Sequence, residues 1–127
     1  MNTLFLVYLI VEAIFGIGFL FVPGLLMDPM GLTLDETSTT FARMVGSLII
    51  SIPVLLFFAR KSASSEFKRG AVYCIFTYLL ASTIILLITQ IKGLMNAMGW
   101  SVVILHLVFL LWFGYYLINL GKMDSSR

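Results

Sequence analysis

The chain has 127 residues, of which 61% are hydrophobic and only 11% are charged. A soluble domain of this size has too much surface for its volume to hide that much apolar area, so the composition indicates an integral membrane protein with a single domain, residues 1–127. The formal net charge is only +2, and no basic run with interleaved aromatic residues occurs. We therefore expect membrane lipids among the partners, and no nucleic acid.

Four apolar segments follow one another along the chain, at about residues 3–22, 38–59, 71–91 and 100–120. Each is long enough to cross a bilayer, for which an α-helix needs about 20 residues. The connections between the segments are short, so helices that are adjacent in sequence should pack antiparallel. The sequence thus predicts an all-α, four-helix transmembrane bundle.

The first connection, residues 23–36, is the longest of the three. Pro23 suits the first position of a short helix, because a proline there gives up no helical hydrogen bond. Thr33 and Glu36 have the spacing of a capping box. This pattern predicts that Asp35 and Glu36 lie in the first turn of the second membrane helix, where the helix dipole favours negative charge.

The basic residues are distributed unevenly between the two sides of the predicted bundle. Residues 60–69 hold four basic residues, whereas the third connection holds only Lys92 and the first holds none. Lys122 and Arg127 follow the last segment. With four crossings, both termini share a side with the second connection. The positive-inside rule then predicts that both termini are cytoplasmic, in a bacterial inner (plasma) membrane.

Glu12 lies alone in the middle of the first apolar segment. An ionisable residue there costs at least ~2.5 kcal/mol on insertion scales, so it usually faces protein or water and has a function. Tyr8 and Gly16 lie one turn before and after it on the same helix face, and Gly16 would let another helix or a ligand approach the carboxyl. The alternative is a structural Glu12 that pairs the first two membrane helices.

The second segment carries Arg43, Ser47 and Ser51 at i, i+4 and i+8, with Gly46 beside that stripe. Small and hydroxyl residues at such spacing allow close helix packing in membranes, so Gly16, Gly46 and Ser51 are predicted packing positions. Arg43 could pair with Glu12, directly or through water. It could equally extend to the outer membrane interface.

His106 is the only histidine and lies in the fourth segment. The helix rise places Glu12 roughly 15 Å, His106 roughly 9 Å and Arg43 roughly 7 Å from the outer ends of their segments. This clustering predicts a site formed by Glu12, Arg43 and His106, with Tyr8 and Ser47 assisting, for ligand binding or proton transfer. The alternative for His106 is a neutral side chain that is hydrogen-bonded to a neighbouring helix.

Cysteine and histidine are too scarce for the usual metal or catalytic arrangements. Cys74 is the only cysteine and lies in an apolar run, so we expect a small buried hydrophobic side chain there. Neither a metal-ligand spacing nor a nucleophile–base pair is visible. The sequence therefore predicts no catalytic residue, metal or cofactor.

The first half of the chain resembles small bacterial four-helix inner-membrane proteins that are broadly DoxX-like. The matching pattern is Glu12 and Gly16 in an apolar helix, then Pro23 and Gly31, and a second helix that opens with Phe41-Ala-Arg-Met-Val-Gly46. The resemblance implies a fold and carries no activity.

A second resemblance is to the small multidrug-resistance exporters, which also have four short helices and one membrane-embedded Glu in the first. Val11-Glu-Ala-Ile-Phe-Gly16 is similar to that feature. The long acidic first connection, Arg43 in the second segment and the marked charge bias depart from the exporters.

Three hypotheses for function follow. The leading one is a small membrane protein that holds a hydrophobic ligand, such as a lipid or quinone, in an outward-facing cleft inside the bundle. The second is proton-coupled transport by an oligomer, in which Glu12 exchanges a proton for substrate. The third is a structural subunit of a larger membrane complex, or a homodimer, that docks through the Gly46, Ser47 and Ser51 face.

Overall fold

The computed structural model describes residues 1–124, with side chains through Asn119, and this part contains helices and no strand. The elements are α1 (Asn2–Phe21), α2 (Pro23–Met27), a short 3₁₀ helix (Asp28–Met30), α3 (Glu36–Lys61), α4 (Ser65–Ile91) and α5 (Gly99–Asp124). By length and composition α1, α3, α4 and α5 could each cross a membrane, which confirms the four predicted apolar helices. The predicted cytoplasmic bases Lys122 and Arg127 lie outside the described side chains.

Side-chain caps set where α3 and α4 begin. The Asp35 carboxylate accepts hydrogen bonds from the Ser38 N–H at 2.7 Å and from the Ser38 hydroxyl at 2.6 Å. Asp35 is therefore the N-cap of α3, and the predicted capping box that starts at Thr33 was wrong. The same hydrogen bonds lower the pKa of Asp35. α4 begins at Ser65 rather than near 71, because the Ser64 hydroxyl caps it by accepting from the Phe67 N–H at 3.1 Å.

The first connection folds compactly and contacts the third. Pro23 is the first residue of α2, as predicted. Gly31 ends the 3₁₀ helix with a φ of +80°, in the left-handed region that favours glycine. The Asn96 N–H donates to the Met30 carbonyl at 2.9 Å, and Asn96 Nδ2 donates to the Pro29 carbonyl at 2.9 Å. These bonds join the two connections at one end of the bundle.

The bundle consists of two tightly packed helix pairs, α1–α3 and α4–α5, which meet through much smaller α3–α4 and α1–α5 interfaces. Glycines permit the close approach of α1 to α3. A Cβ added at Gly46 would lie 2.5 Å from the Leu20 backbone nitrogen, and one added at Gly16 would lie 2.7 Å from Ile50 Cγ1. The two predicted packing glycines thus lie at the α1–α3 interface.

A cluster of buried apolar residues joins the two pairs at the end of the bundle that holds Met1. Aromatic rings form its centre: Tyr8 lies 4.7 Å from Phe109 and 5.1 Å from Phe113, and Phe5 lies 6.2 Å from Phe113 between ring centroids. The Met1 nitrogen also donates to the Tyr116 hydroxyl at 2.6 Å. The cluster comprises Leu4, Phe5, Tyr8, Leu56, Ala59, Ala71, Val72, Ile75, Leu79, Phe109 and Phe113.

Candidate functional site

Contacts between helices fix which residues share a level in the bundle. Phe5 of α1 contacts Phe113 of α5, and Tyr8 contacts Phe109. The two helices run antiparallel, so the residue numbers of two residues at the same level add to about 118. Because the helix rise is constant, this register continues one turn beyond Tyr8 and brings Glu12 level with His106.

The register between α4 and α5 adds a third helix to this level. Gly99 lies against Gln90, and Gly114 lies against Phe76, whose ring carbon would be 3.3 Å from an added Cβ. Extending this spacing along the two helices brings Thr83 level with His106. Glu12, Thr83 and His106 therefore share one level, immediately beyond the apolar cluster. We call these three residues the polar layer.

Glu12 is buried in the polar layer, with 5% of its surface exposed. Tyr8, one turn closer to Met1, turns its hydroxyl toward the carboxyl without completing a hydrogen bond. Tyr78 of α4 is close enough to interact electrostatically with Glu12. Among the described residues no ion pair reaches Glu12. The carboxyl thus faces aromatic hydroxyls rather than a cation.

Thr83 differs from most helical hydroxyl residues of this protein. Its side chain is 2% exposed, and its buried Oγ1 has no hydrogen-bond partner within the described chain. The Tyr8 hydroxyl is also buried and has no completed hydrogen bond within the described chain. Such groups are normally paired, so Thr83 retains a donor for another group in the interior, whereas the Tyr8 hydroxyl is turned toward Glu12. By contrast, other helical hydroxyls donate to backbone carbonyls three or four residues earlier, namely those of Thr40, Ser47, Ser51, Thr77, Ser82, Thr89 and Ser101.

His106 adds an acceptor to the layer. The ring is half-buried, and Nδ1 lies 2.9 Å from the Val102 carbonyl. Because a carbonyl only accepts, Nδ1 carries the proton, and Nε2 of the neutral ring is left as an acceptor. The hydrogen bond stays within α5, and the described residues show no bond from His106 to a neighbouring helix, which was the alternative considered from the sequence. Glu12, Thr83 and His106 thus share one level of the bundle, and the Tyr8 hydroxyl lies one turn away on α1.

Arg43, Ser47 and Ser51 lie on the outer face of α3, where all three are exposed. The two serine hydroxyls donate to the carbonyls of Met44 at 2.7 Å and Leu48 at 2.6 Å. The reason is the orientation of α3, which turns Ala42, Gly46 and Ile49 toward the interior. The stripe beside Gly46 therefore faces outward, and no ion pair joins Arg43 to Glu12 in the described part of the chain.

Cys74 is exposed, so the prediction of a buried cysteine was wrong. The inward face of α4 is instead formed by Val72, Ile75, Leu79 and Thr83, which are spaced three and four residues apart. Cys74 falls on the opposite side of this stripe. The same spacing would have selected Thr83 as the polar member of the inward stripe. Tyr78 gave no comparable signal, because aromatic residues occur on every face of the helices.

The described residues contain no group of three or more His, Cys, Asp or Glu side chains that could hold a metal ion. Neither a curated protein nor a solved structure matches the chain. One family matches residues 6–126, under the description "Domain of unknown function (DUF8292)". This range includes both hydroxyl donors and the whole polar layer. The protein therefore belongs to the DUF8292 family.

Proposed function

We propose that this protein spans the plasma membrane and binds a hydrophobic ligand, a lipid or a quinone-like molecule, beside the polar layer. The observation that carries the proposal is the buried Thr83 hydroxyl, which has no hydrogen-bond partner in the described chain and shares a level with the buried Glu12 carboxyl, toward which the Tyr8 hydroxyl is turned. An unpaired buried polar group costs roughly 1–3 kcal/mol. A ligand that accepts hydrogen bonds from these hydroxyls would remove that cost, and the gain would contribute to its affinity.

The chemistry of the layer favours an uncharged ligand with carbonyl groups. Tyr8 and Thr83 offer hydroxyl donors, and Arg43 is turned away on the outer face of α3. A phosphate headgroup would need a cation in the site, because burying an unpaired charge is expensive. A quinone carbonyl needs only hydroxyl or carboxyl donors. Between the two ligand classes, the donor set therefore supports the quinone-like one.

The experiment is native mass spectrometry of the protein released from mild detergent, followed by identification of the molecule that remains bound. We expect one defined hydrophobic compound, and we expect Glu12→Gln and Thr83→Val to reduce its retention by about tenfold or more. Arg43→Gln and Thr77→Val are matched controls, because both side chains are exposed on outer helix faces. Equal retention by Glu12→Gln, Thr83→Val and the two controls would refute the site.

Proton-coupled transport is the second candidate, and one observation favours it. Glu12 is buried without an ion pair among the described residues, and the helix pairs around it meet through small interfaces that could shift. This mechanism needs an oligomer, because a single four-helix unit is small for alternating access. It predicts that Glu12→Asp shifts the pH dependence of substrate flux in proteoliposomes. A flux that is independent of pH would contradict it.

Docking in a larger complex has less support, because Gly46 is already covered by α1. Only the exposed side chains of Arg43, Ser47 and Ser51 would remain for a partner or a second copy. Disrupted assembly in a Ser47→Leu and Ser51→Leu double variant, with unchanged behaviour of Glu12→Gln, would favour this reading.

Both termini are proposed to be cytoplasmic, on the charge bias that includes Arg60, Lys61, Lys68 and Arg69. A single cysteine at Ala63 in a Cys74→Ser background should resist an impermeant thiol reagent added to intact cells. A single cysteine at Ala97, at the opposite end of the bundle, should react. Labelling at position 63 and protection at position 97 would show that the termini lie on the opposite side of the membrane.

A further inference from the structure

A groove of about 440 Å³ opens at the α3–α4 interface, toward the end of the bundle that holds Met1. It is separate from the polar layer, since Cys74 and Thr83 are nine residues apart on α4, or roughly 13 Å. The lining consists of one acidic and five uncharged residues: Leu55, Glu66, Phe67, Gly70, Ala71 and Cys74.

Gly70 keeps the groove open. Among the described residues no atom lies within 4 Å of a Cβ added at this position, so none of them requires the glycine for close packing. Phe67 and Cys74 lie on the same side of α4, one turn before and after it, and both are exposed. In a bilayer these exposed apolar side chains face lipid, so an acyl chain can enter the groove from the side.

The charged residues around the groove indicate which kind of lipid headgroup would bind there. Glu66 is the only charged residue in the lining. Four basic residues lie in the surrounding segment 60–69, and one of them, Lys61, is exposed with its Nζ 4.2 Å from the centre of the Phe57 ring. A purely anionic headgroup would meet the Glu66 carboxylate directly. A headgroup with both a phosphate and an ammonium matches the two signs of charge.

We propose that this groove binds a phospholipid with a primary ammonium, such as phosphatidylethanolamine. One acyl chain lies along Phe67, Gly70 and Cys74, the ammonium donates to the Glu66 carboxylate, and the phosphate faces the basic residues of segment 60–69. A primary ammonium has N–H donors, whereas the quaternary ammonium of phosphatidylcholine has none. The groove therefore selects between two lipids that carry the same net charge.

The test is native mass spectrometry from micelles that contain equal amounts of phosphatidylethanolamine and phosphatidylcholine with identical chains. We expect phosphatidylethanolamine to be retained about fivefold over phosphatidylcholine, the ratio given by about 1 kcal/mol from an exposed charge-assisted hydrogen bond. Glu66→Gln should remove the preference but leave lipid bound. Equal retention of the two lipids by the wild-type protein would overturn the headgroup assignment.

A second pair of variants tests the groove itself. Gly70→Leu fills the open space beside Phe67 without a clash and should abolish lipid retention. Thr77→Leu places the same side chain at an exposed α4 position outside the lining and should leave retention unchanged. Unchanged lipid binding by Gly70→Leu would refute the site. So would a wild-type protein that is released as a dimer without lipid and becomes monomeric with Gly70→Leu, since a second copy would then occupy the groove.

Discussion

Replacing Gly46 with alanine tests the closest approach in the structure. A Cβ at this position would lie 2.5 Å from the Leu20 nitrogen and 2.8 Å from the Phe19 carbonyl carbon. Both are backbone atoms, so the overlap cannot be relieved by a side-chain rotation and must separate α1 from α3. Overpacking a well-packed interior typically costs about 1–3 kcal/mol. Because backbone must move here, we expect Gly46→Ala to destabilise the fold by about 3 kcal/mol, the upper end of that range.

The assay is unfolding of the purified protein by titration with sodium dodecyl sulfate, followed by tryptophan fluorescence and circular dichroism. Gly70→Ala is the matched control, because it makes the same change in another long apolar helix, where no atom of the described residues lies within 4 Å. Alanine is favoured over glycine in a helix interior by about 0.5–1 kcal/mol, so this variant should be slightly more stable than wild type. The two variants should therefore differ by about 3.5–4 kcal/mol.

Equal unfolding midpoints for Gly46→Ala and Gly70→Ala would refute the reasoning, since α1 and α3 could then not pack with backbone contact at Gly46. Gly16→Ala tests a less severe steric overlap at the same α1–α3 interface. Its nearest obstacle is a side-chain atom, Ile50 Cγ1 at 2.7 Å, which can rotate away. We expect a smaller loss, about 1–2 kcal/mol.

Three further substitutions probe the caps, the connections and the polar layer. Asp35→Asn keeps a cap but removes a carboxylate whose pKa is lowered by hydrogen bonds from Ser38, so stability should no longer fall as the pH drops below the ordinary Asp pKa of about 3.9. Asn96→Ala removes the hydrogen bond to the Pro29 carbonyl and should cost about 1–2 kcal/mol in the unfolding titration. Thr83→Val deletes a buried unpaired hydroxyl at nearly constant volume, and should stabilise the ligand-free protein by about 1 kcal/mol.

Each of these substitutions has a control in the same chain. Glu36→Gln removes a neighbouring carboxylate that does not cap α3 and should leave the loss of stability at low pH in place. Asn119→Ala removes a hydrogen bond within α5 only, so it should cost less than Asn96→Ala. Thr77→Val removes a hydroxyl that is exposed and already bonded to its own helix. If Thr83→Val were as destabilising as a core cavity, the hydroxyl would have to be paired, and the polar layer would lose its main support.

The four long helices were predictable because each apolar run is long and uninterrupted, and the boundaries were predictable where a strong signal marks them, as Pro23 does. The start of α4 was missed because it lies among polar residues that precede the apolar run. Nothing in hydropathy alone indicates that Ser64 caps a helix there. The α3 cap was assigned to the wrong residue because Thr33 and Asp35 both offer a suitable side chain.

The site was only partly predictable, for a reason particular to strongly apolar helices. Glu12 stands out because a charged residue in an apolar run is rare, and His106 stands out because it is unique. The direction in which each helix faces is harder to predict, because apolar residues cover every face of these helices and leave no amphipathic pattern. Arg43 was therefore included in the predicted site, with the outer membrane interface as the alternative, and its side chain is exposed on the outer face of α3. Thr83 follows from the spacing of the inward stripe of α4, and the register of α4 against α5 brings it level with His106.

The separation into two helix pairs has a consequence for how the chain can be divided. Each pair is continuous in sequence, and only the short segment between Lys61 and Ser65 links them covalently. Cutting the chain there would leave two helical hairpins, each with its own extensive interface. Expressed as separate polypeptides in one membrane, the halves should reassociate through the aromatic contacts of Tyr8 with Phe109 and Phe113. Reassembly of the two halves would bring Glu12 of one half level again with Thr83 and His106 of the other.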